Sequence, residues 1–128
     1  MTASLLSHPD LGRWIARGLA ALWSAFWIWF GLACGIGDGW RHALIHAAIP
    51  GGIFLLATII AWNNELIGSV LLLALGLVVL IGYPLWVGDR FPLQTVLVVL
   101  ATMAAPPLIA GWLLARETWL KPAAPALP

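Results

Sequence analysis

Charge is what this chain has least of. Of its 128 residues, 6 are lysine or arginine and 5 are aspartate or glutamate, which makes 9% charged residues and a net charge of +1. A water-soluble domain carries roughly a quarter charged residues, so the scarcity excludes an ordinary solvated surface. The basic residues are scattered singly and give no footing for nucleic acid. Cysteine is limited to Cys34, so no intrachain disulfide can form. Gly31-Leu32-Ala33-Cys34 faintly matches a lipoprotein cleavage site, but the apolar run before it is longer than a signal-peptide core, and an uncleaved first helix is expected. Also missing are Cys-x-x-Cys pairs, sets of three or four spaced metal ligands, paired acids, a nucleophile with its base and a phosphate loop. The expectation is therefore a protein that is not an enzyme and holds no metal site.

What the chain does have is apolar residues, 62% of the total. One membrane crossing takes about 20 mostly apolar residues, enough for a hydrocarbon core roughly 30 Å thick. Runs at about 14–34, 42–62, 65–82 and 93–115 meet that requirement and use nearly the whole sequence. They predict an all-α fold, an up-down bundle of four transmembrane helices forming one integral membrane domain over 1–128. The second and third runs fold back on each other at Trp62-Asn63-Asn64-Glu65, and the others are arranged around this hairpin. His8-Pro9-Asp10 reads as a turn and cap before the first helix, 83–92 as a loop, and Lys121 to Pro128 as an extended Pro/Ala-rich tail. Gly18, Ala21 and Ala25 share a face of the first run that would let another helix approach closely. Pro50 lacks the N–H that would bond the carbonyl of His46, predicting a kink in the second span. Pro106 and Pro107 likewise free the carbonyls of Thr102 and Met103 in the fourth. The third run, Leu66 to Gly82, has no charge and should turn part of its surface to lipid or to an apolar partner.

Four crossings leave both termini on one side. Arg13, Arg17, Arg116 and Lys121 fall there and Arg41 and Arg90 on the other, an asymmetry that favours cytoplasmic termini. Trp14, Trp62 and Trp119 near one interface, with Trp40, Tyr83, Trp86 and Phe91 near the other, fit aromatic belts.

Few residues within the spans could carry chemistry. Trp23 and Trp27 lie near the middle of the first span, too deep for a headgroup belt, and their indole N–H groups need acceptors. One reading is structural, with Trp23 donating to a carbonyl released by Pro106 or Pro107. The other is an aromatic pocket for a flat ligand such as a quinone, carotenoid or chlorin. His42 and His46, four residues apart, share a helix face. At the depth of His46 an inward orientation with a partner is expected, either as a hydrogen-bonding residue or as a single axial ligand to a haem or chlorin beside Trp27. Arg17, inside the first span, lies at nearly the same level as Glu65, which begins the third, and the two either pair with each other or Arg17 reaches the headgroups alone. Asp38, Arg41, Asp89 and Arg90 read as a charged loop cluster on the far side.

Arg13 and Arg17 with the Trp/Phe-rich first span, together with Ile60-Ala61-Trp62-Asn63-Asn64-Glu65-Leu66-Ile67-Gly68 at the hairpin, resemble a family of small uncharacterised four-helix bacterial integral membrane proteins. The resemblance implies the fold and a bacterial inner membrane, and brings no activity with it. The first helix lacks the buried glutamate of small multidrug transporters, and the polar helix breaks of dual-topology fluoride channels are missing. The expected role is a small membrane subunit that packs against and stabilises or assembles a larger membrane complex, with the lipid bilayer and other membrane subunits as partners. Two alternatives stand beside it, a pigment-binding or redox subunit using His46 and a small-solute transporter using the breaks at Pro50 and Pro106-Pro107.

Overall fold

The computed structural model describes residues 11–119; the cap expected at His8-Pro9-Asp10 and the tail from Lys121 lie outside them. Among the described residues every regular element is helical. They run α1 Leu11–Gly35, α2 Trp40–Ala47, α3 Ile53–Asn63, α4 Glu65–Val87, α5 Leu93–Met103 and α6 Ala105–Trp119. A π-helical turn at Ala48–Gly52 joins α2 and α3 into one span, and α5 and α6 are the halves of another. The result is 4 helices long and apolar enough to cross a membrane, Leu11–Asp38, Trp40–Asn63, Glu65–Arg90 and Leu93–Trp119. The all-α bundle read from the apolar runs is the observed fold.

Turn chemistry fixes the ends of these helices. Gly39 takes φ 102° between the first two spans, a conformation that a residue with a Cβ rarely adopts. The hairpin turn is tighter than expected. Asn63 still belongs to α3, its Nδ2 donating back to the carbonyl of Ile59 at 2.9 Å, and Asn64 alone separates the two helices. Asn64 Oδ1 accepts from the Ile67 N–H at 3.1 Å, an N-cap that satisfies one of the free donors of α4. Glu65 then falls in the first turn, at the positive end of the helix dipole.

Proline positions correct the expected boundaries. α4 does not stop at Gly82 but continues through Pro84 to Val87, and turns at Gly88 with φ 54°. A proline this near a helix end forfeits one bond while its ring holds φ near the helical value, so the helix survives it. Pro50 is absorbed in the π-helical turn, a local widening of the helix. In the fourth span the helix breaks at Ala104, just before Pro106-Pro107, because the two prolines supply no N–H to the carbonyls of Thr102 and Met103.

Each span packs against its sequence neighbours, and α6 closes the ring against α1. The shared core joins Ala16, Ala20 and Trp23 of α1, Phe54, Ala57 and Ala61 of α3, Leu72 of α4, and Ala110 and Leu114 of α6. Alanine dominates because close backbone approach is the main source of attraction between helices when the surroundings are as apolar as the core. α1 and α2 cross closely at Gly31, where a Cβ would stand 2.5 Å from the carbonyl oxygen of His46 and 2.6 Å from Cα of Ala47, and more closely still where Gly35 meets the backbone of Ala43. The packing face of α1 is therefore Ala16, Ala20, Ser24, Gly31 and Gly35, all buried. The expected face of Gly18, Ala21 and Ala25 points the other way, with Gly18 and Ala25 exposed. α5 differs from every other long helix in burying none of its residues; above the break at Ala104 it leans off the bundle.

Candidate functional site

Three charged side chains, Arg13, Arg17 and Glu65, meet where the hairpin turns. Glu65 at the start of α4 receives Arg17 Nη2 at 3.0 Å and Arg13 Nε at 2.5 Å, both from α1. Arg17 Nη2 also donates to the carbonyl of Trp62 at 3.3 Å. Its guanidinium stands 5.7 Å from the ring centre of Trp14 and 5.4 Å from that of Trp62, and these rings meet edge to face at 6.0 Å. Of the two readings for Arg17, the structure shows the pair with Glu65. The carboxylate offsets the cost of holding two guanidiniums near lipid, and the indole faces add cation–π attraction. Glu117 of α6 lies over Gly12, 3.0 Å from where a Cβ would be, so the start of α1 and the end of α6 share this end of the bundle.

The interior holds an aromatic stack. Trp23 lies against Phe54 with ring centres 3.7 Å apart and planes at 25°, and Trp27 meets Phe54, Phe26 and Phe30 edge to face. The expected bond from Trp23 to a proline-released carbonyl is not made. The indole N–H groups of Trp23 and Trp27 are buried without a hydrogen-bond partner, because stacking on α3 fixes the Trp23 ring and α5 stands away from α1. Beside Trp23 in α1 is a feature that the sequence alone did not single out. Ser24 Oγ and Thr58 Oγ1 lie 2.8 Å apart, one hydroxyl donating to the other, and the carbonyl oxygens of Ala20, 2.9 Å from Ser24 Oγ, and Phe54, 2.8 Å from Thr58 Oγ1, stand within reach of the same two protons. An isolated serine and threonine in otherwise apolar spans were the signal that could have found it.

His46 is placed otherwise than expected. Its side chain is exposed on the outside of α2, while its backbone carbonyl is the part that faces inward, onto Gly31. Trp27, packed among Phe26, Phe30 and Phe54, lies on a different surface. His42 is also exposed, its Nδ1 3.1 Å from the carbonyl oxygen of Asp38. Asp38, Arg41, Asp89 and Arg90 are exposed in the turns at the far end, Arg41 lying over the Trp40 ring at 5.6 Å. Among the described residues no three His, Cys, Asp or Glu side chains come together as a metal-holding group.

The sequence model of the family Domain of unknown function (DUF7670) matches residues 3–124. The chain belongs to this family. No curated protein and no solved structure matches it. In this DUF7670 chain the matched stretch takes in all four spans, the hairpin-end charges and the Ser24–Thr58 pair. The buried hydroxyl pair should contribute modestly: Ser24→Ala combined with Thr58→Val in a double-mutant cycle is expected to show a coupling of about 0.6 kcal/mol, the usual size for interhelical polar contacts in membranes. Thermal unfolding of the four purified forms measures it.

Proposed function

We propose that this protein is a non-catalytic membrane subunit that packs against a larger membrane complex and helps to assemble, stabilise or seal it. The reading also puts it in a bacterial cytoplasmic membrane, with both termini on the cytoplasmic side, on the sequence asymmetry of Arg13, Arg17, Arg116 and Lys121 against Arg41 and Arg90. The observation that carries the reading is how the polar and apolar groups are divided. Arg17 and Glu65 bond to each other and Ser24 to Thr58, so these polar side chains are engaged in holding the bundle together. The outer side of α4, by contrast, is uniformly apolar. Val70, Leu77, Val78 and Ile81 stand exposed along it. Leu77, Val78, Ile81 and Gly82 frame a shallow hollow of about 350 Å³, where a Cβ on Gly82 would meet nothing within 4 Å. A small residue at the floor of an apolar hollow suits a side chain from a neighbouring helix.

Filling that hollow with apolar bulk tests the reading while leaving the span apolar enough to insert. On native gels of mildly solubilised membranes, the wild-type chain is expected in a species well above its own 13.8 kDa, with mass spectrometry of that band giving the partner. Val78→Trp with Gly82→Leu should release the chain to its own size. A wild-type chain migrating alone in every mild detergent would contradict the proposal.

A further inference from the structure

The two ends of the bundle are built differently. Toward the hairpin, α1, α3, α4 and α6 share one core. Toward the other end α2 packs on α1 and α5 on α4, and among the described residues no close packing joins these two pairs. The separation shows as a space of about 410 Å³ between Leu22, Trp23 and Phe26 of α1 and Ala101, Thr102 and Pro106 of the fourth span. We infer that α5 is a hinged flap that swings about Ala104 onto α1, its closed position latched by ion pairs between the turn bearing Asp38 and Arg41 and the turn bearing Asp89 and Arg90.

The pivot follows from the prolines. Without the N–H groups of residues 106 and 107, two bonds of a continuous span are missing, while Ala104 keeps its own, donating to Leu100 at 2.9 Å and accepting from Leu108 at 3.2 Å. α5 has 11 residues and buries none of them, so no side chain has to leave a core when it moves. At 1.5 Å per residue it is a lever about 16 Å long, and a tilt of roughly 25° carries its far end about 7 Å. The link at 88–92 can reach roughly 17 Å when extended, enough to follow.

The surfaces that would meet are uncovered in this position. Above Trp23 one face of α1 continues through Phe26, Phe30 and Ala33, and the groove side of α5 continues from Ala101 through Val98 and Gln94, all of them exposed. Lipid is as apolar as these faces, so their packing alone gives a small preference for closure. The water-facing turns add direction. Each carries one acid and one base, all four exposed, and among the described residues none of the four is in an ion pair. Closing brings the two turns together, Asp38 to Arg90 and Arg41 to Asp89. Exposed pairs are individually weak, so this latch tips a nearly balanced equilibrium and leaves it reversible. The inference stands apart from the packing role, which concerns the outer side of α4.

The test measures the distance between the two turns in the full chain, purified into lipid nanodiscs. With Cys34 replaced by serine, Gly37→Cys and Phe91→Cys, both at exposed positions, carry spin labels for pulsed dipolar spectroscopy. Two distances are expected, and high salt should shift the population toward the longer one, since it screens the latch. Reversing one turn, Asp38→Lys with Arg41→Glu, should lower the closed-to-open ratio about fivefold, the combined worth of two exposed pairs. Reversing the second turn as well, Asp89→Arg with Arg90→Asp, should restore it. Pro106→Ala with Pro107→Ala returns the missing N–H groups and should leave one distance. A single narrow distance in the parent protein, or two distances that survive the proline repair, would overturn the flap. A ratio indifferent to salt and to charge reversal would overturn the latch.

Discussion

Glu65→Gln is expected to remove about 2–3 kcal/mol of folding stability, more than the loss of either arginine that it holds. The carboxylate oxygen Oε1 serves both Arg17 and Arg13, so one substitution withdraws the counter-charge from two guanidiniums. Side-chain exposures of 17% for Arg17 and 16% for Glu65 put the pair mostly out of solvent, where breaking an ion pair costs roughly 3–5 kcal/mol if burial is complete. The figure falls below that range because the cluster lies at the bundle end, where a released arginine can stretch toward headgroups. Arg17→Gln leaves Arg13 on the carboxylate and should cost less. Glu65→Gln combined with Arg17→Gln should recover part of the loss, since it no longer strands the deeper guanidinium. Unfolding of the variants in one detergent, followed by tryptophan fluorescence or circular dichroism, ranks them.

Gly31→Leu is expected to have a comparable or larger effect by a different route. The new Cβ alone would land against the backbone of His46 and Ala47, and backbone cannot rotate aside as a side chain can. α1 and α2 must separate, and the contacts flanking the crossing, Gly35 on Ala43 and Ile28 on Gly51, go with it. Overpacking costs typically 1–3 kcal/mol and occasionally more; here the upper end is expected, seen as a lowered melting temperature or failure to recover folded protein. Gly18→Leu is the matched control. It lies on the same helix with nothing within 4 Å of its Cβ position and should be nearly neutral. A control as damaging as Gly31→Leu would mean that the two faces of α1 have been exchanged.

That contrast shows what could be read in the sequence and what could not. Span number, the hairpin and the break before Pro106-Pro107 followed from counts and fixed geometry, namely residues per crossing, rise per residue and the missing proline N–H, and the shared level of Arg17 and Glu65 left their pairing as one of two readings. Which way each helix turns did not follow. In a soluble protein the apolar stripe marks the inside, but lipid is as apolar as the core, so the stripe disappears. Gly18-Ala21-Ala25 and Ala16-Ala20-Ser24 are equally plausible packing faces by composition, and only the second is buried. The same ambiguity misplaced His46, exposed where a partner was expected, and Trp23, which stacks on Phe54 when a bond to the fourth span was expected. The continuation of α4 through Pro84 was hidden because proline marks a helix end in most contexts but costs little where the end is already near.

The four spans close into a ring only because the first and last touch. Gly12 and Glu117 report that contact: a Cβ on Gly12 would be 3.7 Å from Cγ of Glu117, which puts side chains at the two positions within reach of each other. With Cys34 replaced by serine, Gly12→Cys with Glu117→Cys should cross-link on mild oxidation in intact membranes, to a product that stays monomeric in size and reverts with reductant. Cysteines that remain free under conditions that oxidise a cysteine pair across the hairpin would contradict the closed ring.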